Sequence, residues 1–295
     1  MSVTPFPTPI PITEADLSPE FSDDALALEF TARHAEVLRY VAKWGAWLYW
    51  DGTRWKNEDT LKAFDMARAV ARHFANACNK PDHRPKIASA SKVAAIEKLA
   101  RADRRHAVTV DQWDADLWLL NTPGGVVDLR SGKILPHHPE RYMIKITAVT
   151  PGGECPLWRK FLDEITGRDR ELQSFLQRIA GYALTGSIRE HALFFFYGTG
   201  GNGKGVFLNA LTAILRDYAA IAPMDAFLVA QGEHHPTDLA GLRGARLVTA
   251  QETERGRRWA ESKIKALTGG DPVTARFMRQ NFFTYLPALQ AGYCR

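Results

Sequence analysis

Leu193-Phe194-Phe195-Phe196-Tyr197 runs directly into Gly198-Thr199-Gly200-Gly201-Asn202-Gly203-Lys204-Gly205-Val206. An apolar segment of strand length therefore enters a GxxxxGK loop. Beyond the lysine, Val206, Phe207, Ala210, Leu211, Ile214 and Leu215 recur at helical spacing. Strand, glycine-rich loop and helix in that order predict a phosphate-binding turn rather than an ordinary strand-to-helix connection. Glycines let successive backbone N–H groups face an anion, and the helix N-terminus adds positive potential. Lys204 can then neutralise the outer phosphates of a nucleoside triphosphate. Gly198, Thr199, Gly200, Gly201, Asn202, Gly203, Lys204, Gly205 and Val206 are the expected nucleotide-binding residues.

The Ser or Thr that usually follows the lysine, and gives its hydroxyl to Mg²⁺, is Gly205 here. The metal is then expected to be held through water, the phosphates and a carboxylate elsewhere. Arg246-Leu247-Val248-Thr249-Ala250-Gln251-Glu252-Thr253-Glu254 supplies a candidate, a short apolar strand ending in acids. Glu252 is the first choice for metal and attacking water, and Glu254 the second. Solvated acids at a strand mouth are the plain alternative, weightier for Glu254.

Downstream, Glu261-Ser262-Lys263-Ile264-Lys265-Ala266-Leu267-Thr268 predicts a short helix stopped at Gly269-Gly270, with an extended arm through Val273 to Arg276. From the phosphate loop to Arg276 the chain closely resembles the superfamily 3 helicases of phages, plasmids and large DNA viruses, specifically the poxvirus-type primase-helicase group. Upstream, Trp44 to Trp55, with Tyr49-Trp50-Asp51-Gly52-Thr53-Arg54-Trp55, and Leu120-Asn121-Thr122-Pro123-Gly124-Gly125-Val126-Val127-Asp128-Leu129 resemble the domain that precedes the ATPase in that group.

The resemblance implies an α/β fold, with a partial AAA+-like P-loop ATPase core preceded by a mixed, mainly helical N-terminal domain. It implies ATP and Mg²⁺ as cofactors, a homo-oligomeric ring (a hexamer in the family), single-stranded DNA in a central channel, and a replication initiator or primase as a further partner. Gly198 to Gly205 corresponds to its Walker A loop, and Glu252 to its Walker B acid, with Gln251 where a first acid often stands. Lys263 to Arg276 corresponds to the motif leading into the DNA-contacting hairpin. Family members continue into another core strand ending in a sensor asparagine and then to an arginine finger. Neither is recognisable in Asn281 to Arg295. A finger supplied in trans can contribute about 10³–10⁵-fold to hydrolysis, so the chain is expected to be truncated, with weak or absent turnover.

Charge is unevenly spread. Residues 1–30 hold six acids, no Lys or Arg, and Pro5, Pro7, Pro9, Pro11 and Pro19, the composition of a flexible tail. Residues 84–105 hold seven basic groups against two acids, and residues 251–295 eight against four. Either cluster can track a phosphate backbone or form a solvated face. In the second, Arg276, Arg279, Phe282, Phe283 and Tyr285 mix cations with rings on which bases stack, or which pack a hairpin onto the core. Lys263, Lys265, Arg276, Arg279 and Phe283 are the expected DNA contacts. Trp44, Trp47, Trp50, Trp55, Trp113 and Trp118 read as core and hairpin packing, and His137-His138 as loop.

Cys78, Cys155 and Cys294 are too far apart and too few for a disulfide framework or zinc site. No apolar run approaches the roughly 20 residues of a membrane span, so a cytoplasmic protein is expected, and the resemblance implies a bacterial host carrying a phage or prophage. Helices are expected over 23–43, 59–79, 89–102, 156–166 and 169–185, with hairpins turning at Asp51-Gly52 and Ser131-Gly132. The expected organisation is a Pro-rich acidic tail (1–22), a helicase-associated domain (23–155), a helical collar (156–190) and an incomplete ATPase domain (191–295). Two readings stand: a DNA-dependent ATPase of the replicative helicase type, and a nucleotide- and DNA-binding remnant that lacks turnover.

Overall fold

Ser22 starts the first helix, α1 (Asp23–His34), by accepting a hydrogen bond from the Ala25 N–H at 3.0 Å. Asp23 and Asp24 complement the positive end of the helix, and Arg33 and His34 its negative end. The computed structural model describes residues 20–198, 200–229, 237–251, 258–276, 282–285 and 290–294. The chain forms two compact units, one from residues 20–51 and 56–110 and the other from 52–55 and 111 onward.

In the first unit, α1 is followed by β1 (Leu38–Val41), β2 (Ala46–Trp50) and β3 (Trp55–Asn57), which lie in the order β1-β2-β3. The helix expected over 23–43 therefore stops at His34. Leu38 and Tyr40 pair across an antiparallel ladder with Tyr49 and Trp47, and the Tyr40 and Trp47 rings sit 5.1 Å apart. That cross-strand pair outweighs the helical reading of Val37, Leu38 and Val41. Helices α2 (Lys62–Ala77), α3 (Arg84–Ile87) and α4 (Ala90–Ala100) follow. Ala63, Ala67, Ala71 and Ala75 are buried along one face of α2. Such small side chains let α2 approach Phe30 of α1 and Val93 and Ile96 of α4, all members of one core cluster.

Glu97 is buried in this unit and satisfied twice. It accepts a hydrogen bond from Trp47 Nε1 and a bidentate pair from Arg101, at 2.7 Å to each oxygen. The guanidinium also lies 5.2 Å from the Tyr40 ring.

The second unit contains β4 (Leu119–Thr122), β5 (Gly125–Asp128) and β6 (Lys133–Leu135), an antiparallel sheet in that order, then α5 (Pro156–Ile165) and α6 (Arg170–Leu184). Next come β7 (Leu193–Phe196), α7 (Lys204–Leu215), β8 (Ala219–Ile221), α8 (Thr237–Ala240), β9 (Leu247–Gln251) and α9 (Glu261–Gly269). The last elements are β10 (Val273–Ala275), β11 (Phe283–Tyr285) and β12 (Gln290–Cys294). Strands β7, β12, β9 and β8 form a four-stranded sheet in that order, and every pairing in it is parallel. Among the described residues, no helix is long and apolar enough to cross a membrane.

The sheet corrects one expectation. No core strand was recognisable after the hairpin, yet Gln290–Cys294 pairs on one side with Leu193–Phe196 and on the other with Leu247–Gln251. It occupies an inner position, where backbone pairing on both edges makes a strand of a segment with weak side-chain preference. The helix after the lysine differs in detail as well. Phe207, Leu208, Leu211 and Leu215 are buried, whereas Val206 and Ile214 are 58% and 41% exposed. These residues of α7 share a core with Leu176, Ile179 and Ala183 of α6, while Val248 and Ala250 of β9 face a second core with Leu267, Val273 and Tyr285.

Polar groups knit this unit together. Arg246 is 3% exposed and donates to the Leu184 and Leu119 carbonyls at 2.6 and 2.7 Å. Asp217 accepts from Arg54 and from the Ile146 N–H, and its carbonyl accepts from Lys145 Nζ at 2.7 Å. Asp114, half-buried as a residue, accepts from the Ile144 N–H at 3.2 Å. Desolvation pushes its carboxyl up from the ordinary 3.8 to about 6, against the opposing pull of Lys145 and the Ile144 and Lys145 amides.

Two outcomes are expected. Glu97→Ala strips Trp47 Nε1 and Arg101 of their acceptor and lowers stability by about 2 kcal/mol in chemical denaturation, more than Arg101→Ala, whose removal leaves the Trp47 bond in place. For Asp114 the folded state holds the proton more tightly than the unfolded chain, so its contribution to stability is greatest near pH 4 and is lost as pH rises through about 6. Asp114→Asn keeps the acceptor oxygen and does not titrate. Its stability relative to wild type should therefore rise by about 2 kcal/mol from pH 4 to pH 7, and a pH-independent difference would refute the assignment.

Candidate functional site

The loop at the end of β7 is shaped by what its glycines permit. Gly203 has φ +81° and Gly201 φ +77°, left-handed values that side chains resist. A Cβ on Gly203 would also drive into Ile165, and one on Gly198 would meet Asn202 Nδ2 at 2.6 Å. The chain thus turns tightly from β7 into α7, whose N-terminal residue is Lys204. No side-chain cap occupies the N-terminus of α7, and the amides of its first turn have no intrahelical acceptor. The Phe207 N–H closes the first helical bond onto Gly203 O at 2.9 Å.

Lys204 is half-buried, and its Nζ donates to Asn202 Oδ1 at 2.6 Å and to Gly198 O at 3.2 Å. The ammonium is therefore folded back over the loop, in the mouth where an anion would lie. Gly198, Gly200, Gly201, Asn202, Gly203, Lys204, Gly205 and Val206 are brought together as expected from sequence, while Thr199 lies outside the described residues. The donor set fits a triphosphate. It offers Mg²⁺ less: the position after Lys204 is Gly205, and among the described residues no group of three His, Cys, Asp or Glu side chains gathers as metal ligands.

Glu252 and Glu254 also lie outside the described residues, yet strand register locates the start of their segment. Phe196 pairs with Cys294, and Cys294 with Gln251. The last residues of β7, β12 and β9 share one row, so Phe196, which leads into the glycine loop, and Gln251, the last described residue of β9, both stand at the carboxyl edge of the sheet. That edge is where open parallel sheets bind ligands.

A cleft of about 380 Å³ opens beside the loop. Asn202 and Lys204 form part of its wall, with residues 193–197 along β7, Leu172, Phe175, Leu176 and Ile179 of α6, and Ile165 and Thr166 at the end of α5. Leu172 and Phe175 of α6 are 41% and 46% exposed, whereas Leu176 and Ile179 are buried. The available signal was that α6 carries more apolar residues than one buried stripe requires.

The expected DNA contacts divide. Arg276 is exposed, with its guanidinium 4.7 Å from the ring of Phe282, itself 58% exposed. Phe283 is half-buried instead, 5.4 Å from the Arg243 guanidinium and packed against the core of β9. Lys265 is exposed and Lys263 half-buried on α9, and Arg279 lies outside the described residues. In the basic stretch 84–105, Arg84 donates to Cys78 O, Lys92 pairs with Asp23, Arg101 with Glu97 and Arg105 with Asp103. Lys86, Lys98 and Arg104 are exposed. Trp47, Trp55 and Trp113 are buried, in keeping with a packing role.

Comparison with known proteins places these features in context. Residues 27–167 match the D5_N family model, described as D5 N terminal like. Residues 196–290, from the end of β7 to the start of β12, match DUF5906, a family of unknown function. In fold, the chain is similar to the A form apo structure of the NrS-1 C terminal region, with a TM-score of 0.50 and 11% identity over 92% of this chain and 56% of that one. A second apo structure of the NrS-1 C terminal region gives the same values. The chain thus spans little more than half the length of those structures. No curated protein matches it.

Gly203→Ala tests the loop geometry. The left-handed backbone and the contact with Ile165 should together cost about 2 kcal/mol in chemical denaturation, whereas Gly200→Ala, where a Cβ meets nothing within 4 Å, should cost less than about 1 kcal/mol.

Proposed function

We propose that this chain binds ATP at Gly198–Val206 and acts as a DNA-dependent ATPase of the helicase type in phage or plasmid DNA replication. The observation that carries this reading is the position of Lys204 Nζ. It is turned into the glycine loop onto Gly198 O and Asn202 Oδ1, at the start of α7, whose N-terminus carries no side-chain cap. An incoming phosphate would compete with those oxygens as acceptor and offer the ammonium a charged partner in place of neutral ones. The parallel strand order supports the same reading, because it sets Phe196, before the glycine loop, and Gln251, which precedes Glu252 in sequence, at one edge. The D5 N-terminal-like segment and the NrS-1-like fold support the replication setting.

In this reading, Lys204 neutralises charge on the transferring phosphoryl group and Glu252 orients the attacking water. Mg²⁺, held by phosphate oxygens and water, supplies further charge neutralisation when bound. Single-stranded DNA lies against the Arg276–Phe282 pair, which offers a cation and an open ring face. A ring of identical subunits, a hexamer in the resembled family, and a primase or initiator partner complete the proposal, with the cytoplasm of a bacterial host as its compartment. One observation favours the second reading, a nucleotide- and DNA-binding protein without turnover: both Gly205 and Gln251 lack the metal-supporting group expected at their positions.

Calorimetry with ATP, and phosphate release with and without single-stranded DNA, test both. ATP binding lost in Lys204→Ala is the expected result, and DNA-stimulated release that also disappears in this variant establishes the enzyme. Binding without release establishes the second reading, and no affinity for ATP in wild type overturns both. Arg276→Ala combined with Phe282→Ala should weaken single-strand binding about tenfold or more, and an unchanged affinity would remove the hairpin from the DNA site.

A further inference from the structure

We infer that the apolar cleft between α6 and β7 is the subsite for the base and sugar of the nucleotide, and that it accepts adenine and guanine nucleotides nearly alike. This rests on the nucleotide reading of the phosphate loop. The cleft and the loop share wall residues, since Asn202 and Lys204 line both. A molecule whose anionic end lies at Lys204 therefore has its other end against α6 and β7. The volume, about 380 Å³, is in the range of small-molecule pockets of roughly 300–1,000 Å³ and suits one nucleoside.

The lining explains the lack of discrimination. Leu172, Phe175 and Phe195 leave 41%, 46% and 46% of their surfaces exposed, which gives the cleft apolar walls and ring faces. Polar side chains among the lining residues are few: Tyr197, Asn202 and Lys204 stand at the phosphate-loop end, which leaves the wall beside α6 with little that can read a base. Thr166 is another, but its hydroxyl donates to Leu162 O at 2.6 Å and accepts from Gln173 Nε2 at 3.0 Å, inside the α5–α6 turn. Aromatic and aliphatic surface holds any base by its π-face, whereas selection between bases requires placed donors and acceptors.

The test measures binding of ATP, GTP and inorganic tripolyphosphate to the full chain as wild type, Phe175→Ala, Leu172→Ser and Lys204→Ala, with thermal melting as a folding check. Wild type should bind ATP and GTP within about fivefold of each other and both more tightly than tripolyphosphate. Phe175→Ala should weaken ATP and GTP by about tenfold alike and leave tripolyphosphate unchanged, while Lys204→Ala should weaken all three. Leu172→Ser should act in the same direction as Phe175→Ala and decides the matter if that variant does not fold.

The subsite is overturned, with the phosphate site intact, if ATP loses affinity in Lys204→Ala but in neither cleft variant. It is also overturned if tripolyphosphate binds wild type as tightly as ATP does, or if one purine is preferred by more than about fiftyfold. If neither nucleotide nor tripolyphosphate binds wild type, the phosphate-loop reading itself fails.

Discussion

The second unit depends on one buried cation. Arg246 stands immediately before β9, and its guanidinium is almost completely removed from water. Among the described residues, no carboxylate neutralises it at salt-bridge distance. It is held instead by the carbonyls of Leu184 at the end of α6 and Leu119 at the start of β4, with the Tyr218 ring 4.5 Å away. Burial lowers its proton affinity, and a desolvated charge is tolerated only when its donors are satisfied. Those donors reach α6 and the β4-β5-β6 sheet, while its own N–H is bonded to Tyr218 O at 2.7 Å. One side chain therefore fixes β9 against the helix that lines the cleft and the hairpin sheet beside it. The fan-shaped array of donors on arginine suits this task in a way that lysine does not.

From that anchor the site follows through backbone register rather than through side-chain contact. Parallel pairing aligns the ends of β7, β12 and β9, so chemistry at the end of one strand is close to chemistry at the end of the next. The glycine loop leaves this edge from β7, and α7, packed through Phe207, Leu208, Leu211 and Leu215, anchors its far end. This is why the tightest backbone constraint, at Gly203, lies beside Ile165: the loop is pressed against the end of α5.

Much of this was legible in the sequence because the signals are local. The strand, glycine loop and helix from Leu193 to Leu215 are encoded within one stretch, as are the helix over Glu261–Gly269 and its glycine stop. What was not legible depended on distant partners. Leu38–Val41 fits both helical and strand periods, and only Trp47 and Tyr49 across the ladder decide between them. Gln290–Cys294 has few strand-forming side chains and becomes a strand because β7 and β9 supply hydrogen bonds on both sides. The exposure of Phe175 is not legible either, because an apolar residue on an amphipathic helix usually meets a core and no local pattern says that the facing surface is a cleft. Phe282 and Phe283 are adjacent, so their exchange of exposed and packed roles turns on a single residue of hairpin register.

The loop as it stands is also its own first ligand. Asn202 Oδ1 and Gly198 O give Lys204 the oxygen partners that a half-buried ammonium requires, and without them the lysine would swing out to solvent. In the proposed reading a phosphate would meet a cation already aimed at its site, with the entropy of ordering a long side chain largely spent during folding rather than during binding. The displaced Asn202 amide retains a solvent-exposed position, so its oxygen recovers water. On the proposed reading, such an exchange would favour an anion over a neutral guest, because only the anion offers Lys204 a charged acceptor in place of neutral ones. Selectivity for charge would then be set in the loop by the Lys204 contacts, separately from whatever the apolar cleft contributes through surface and shape.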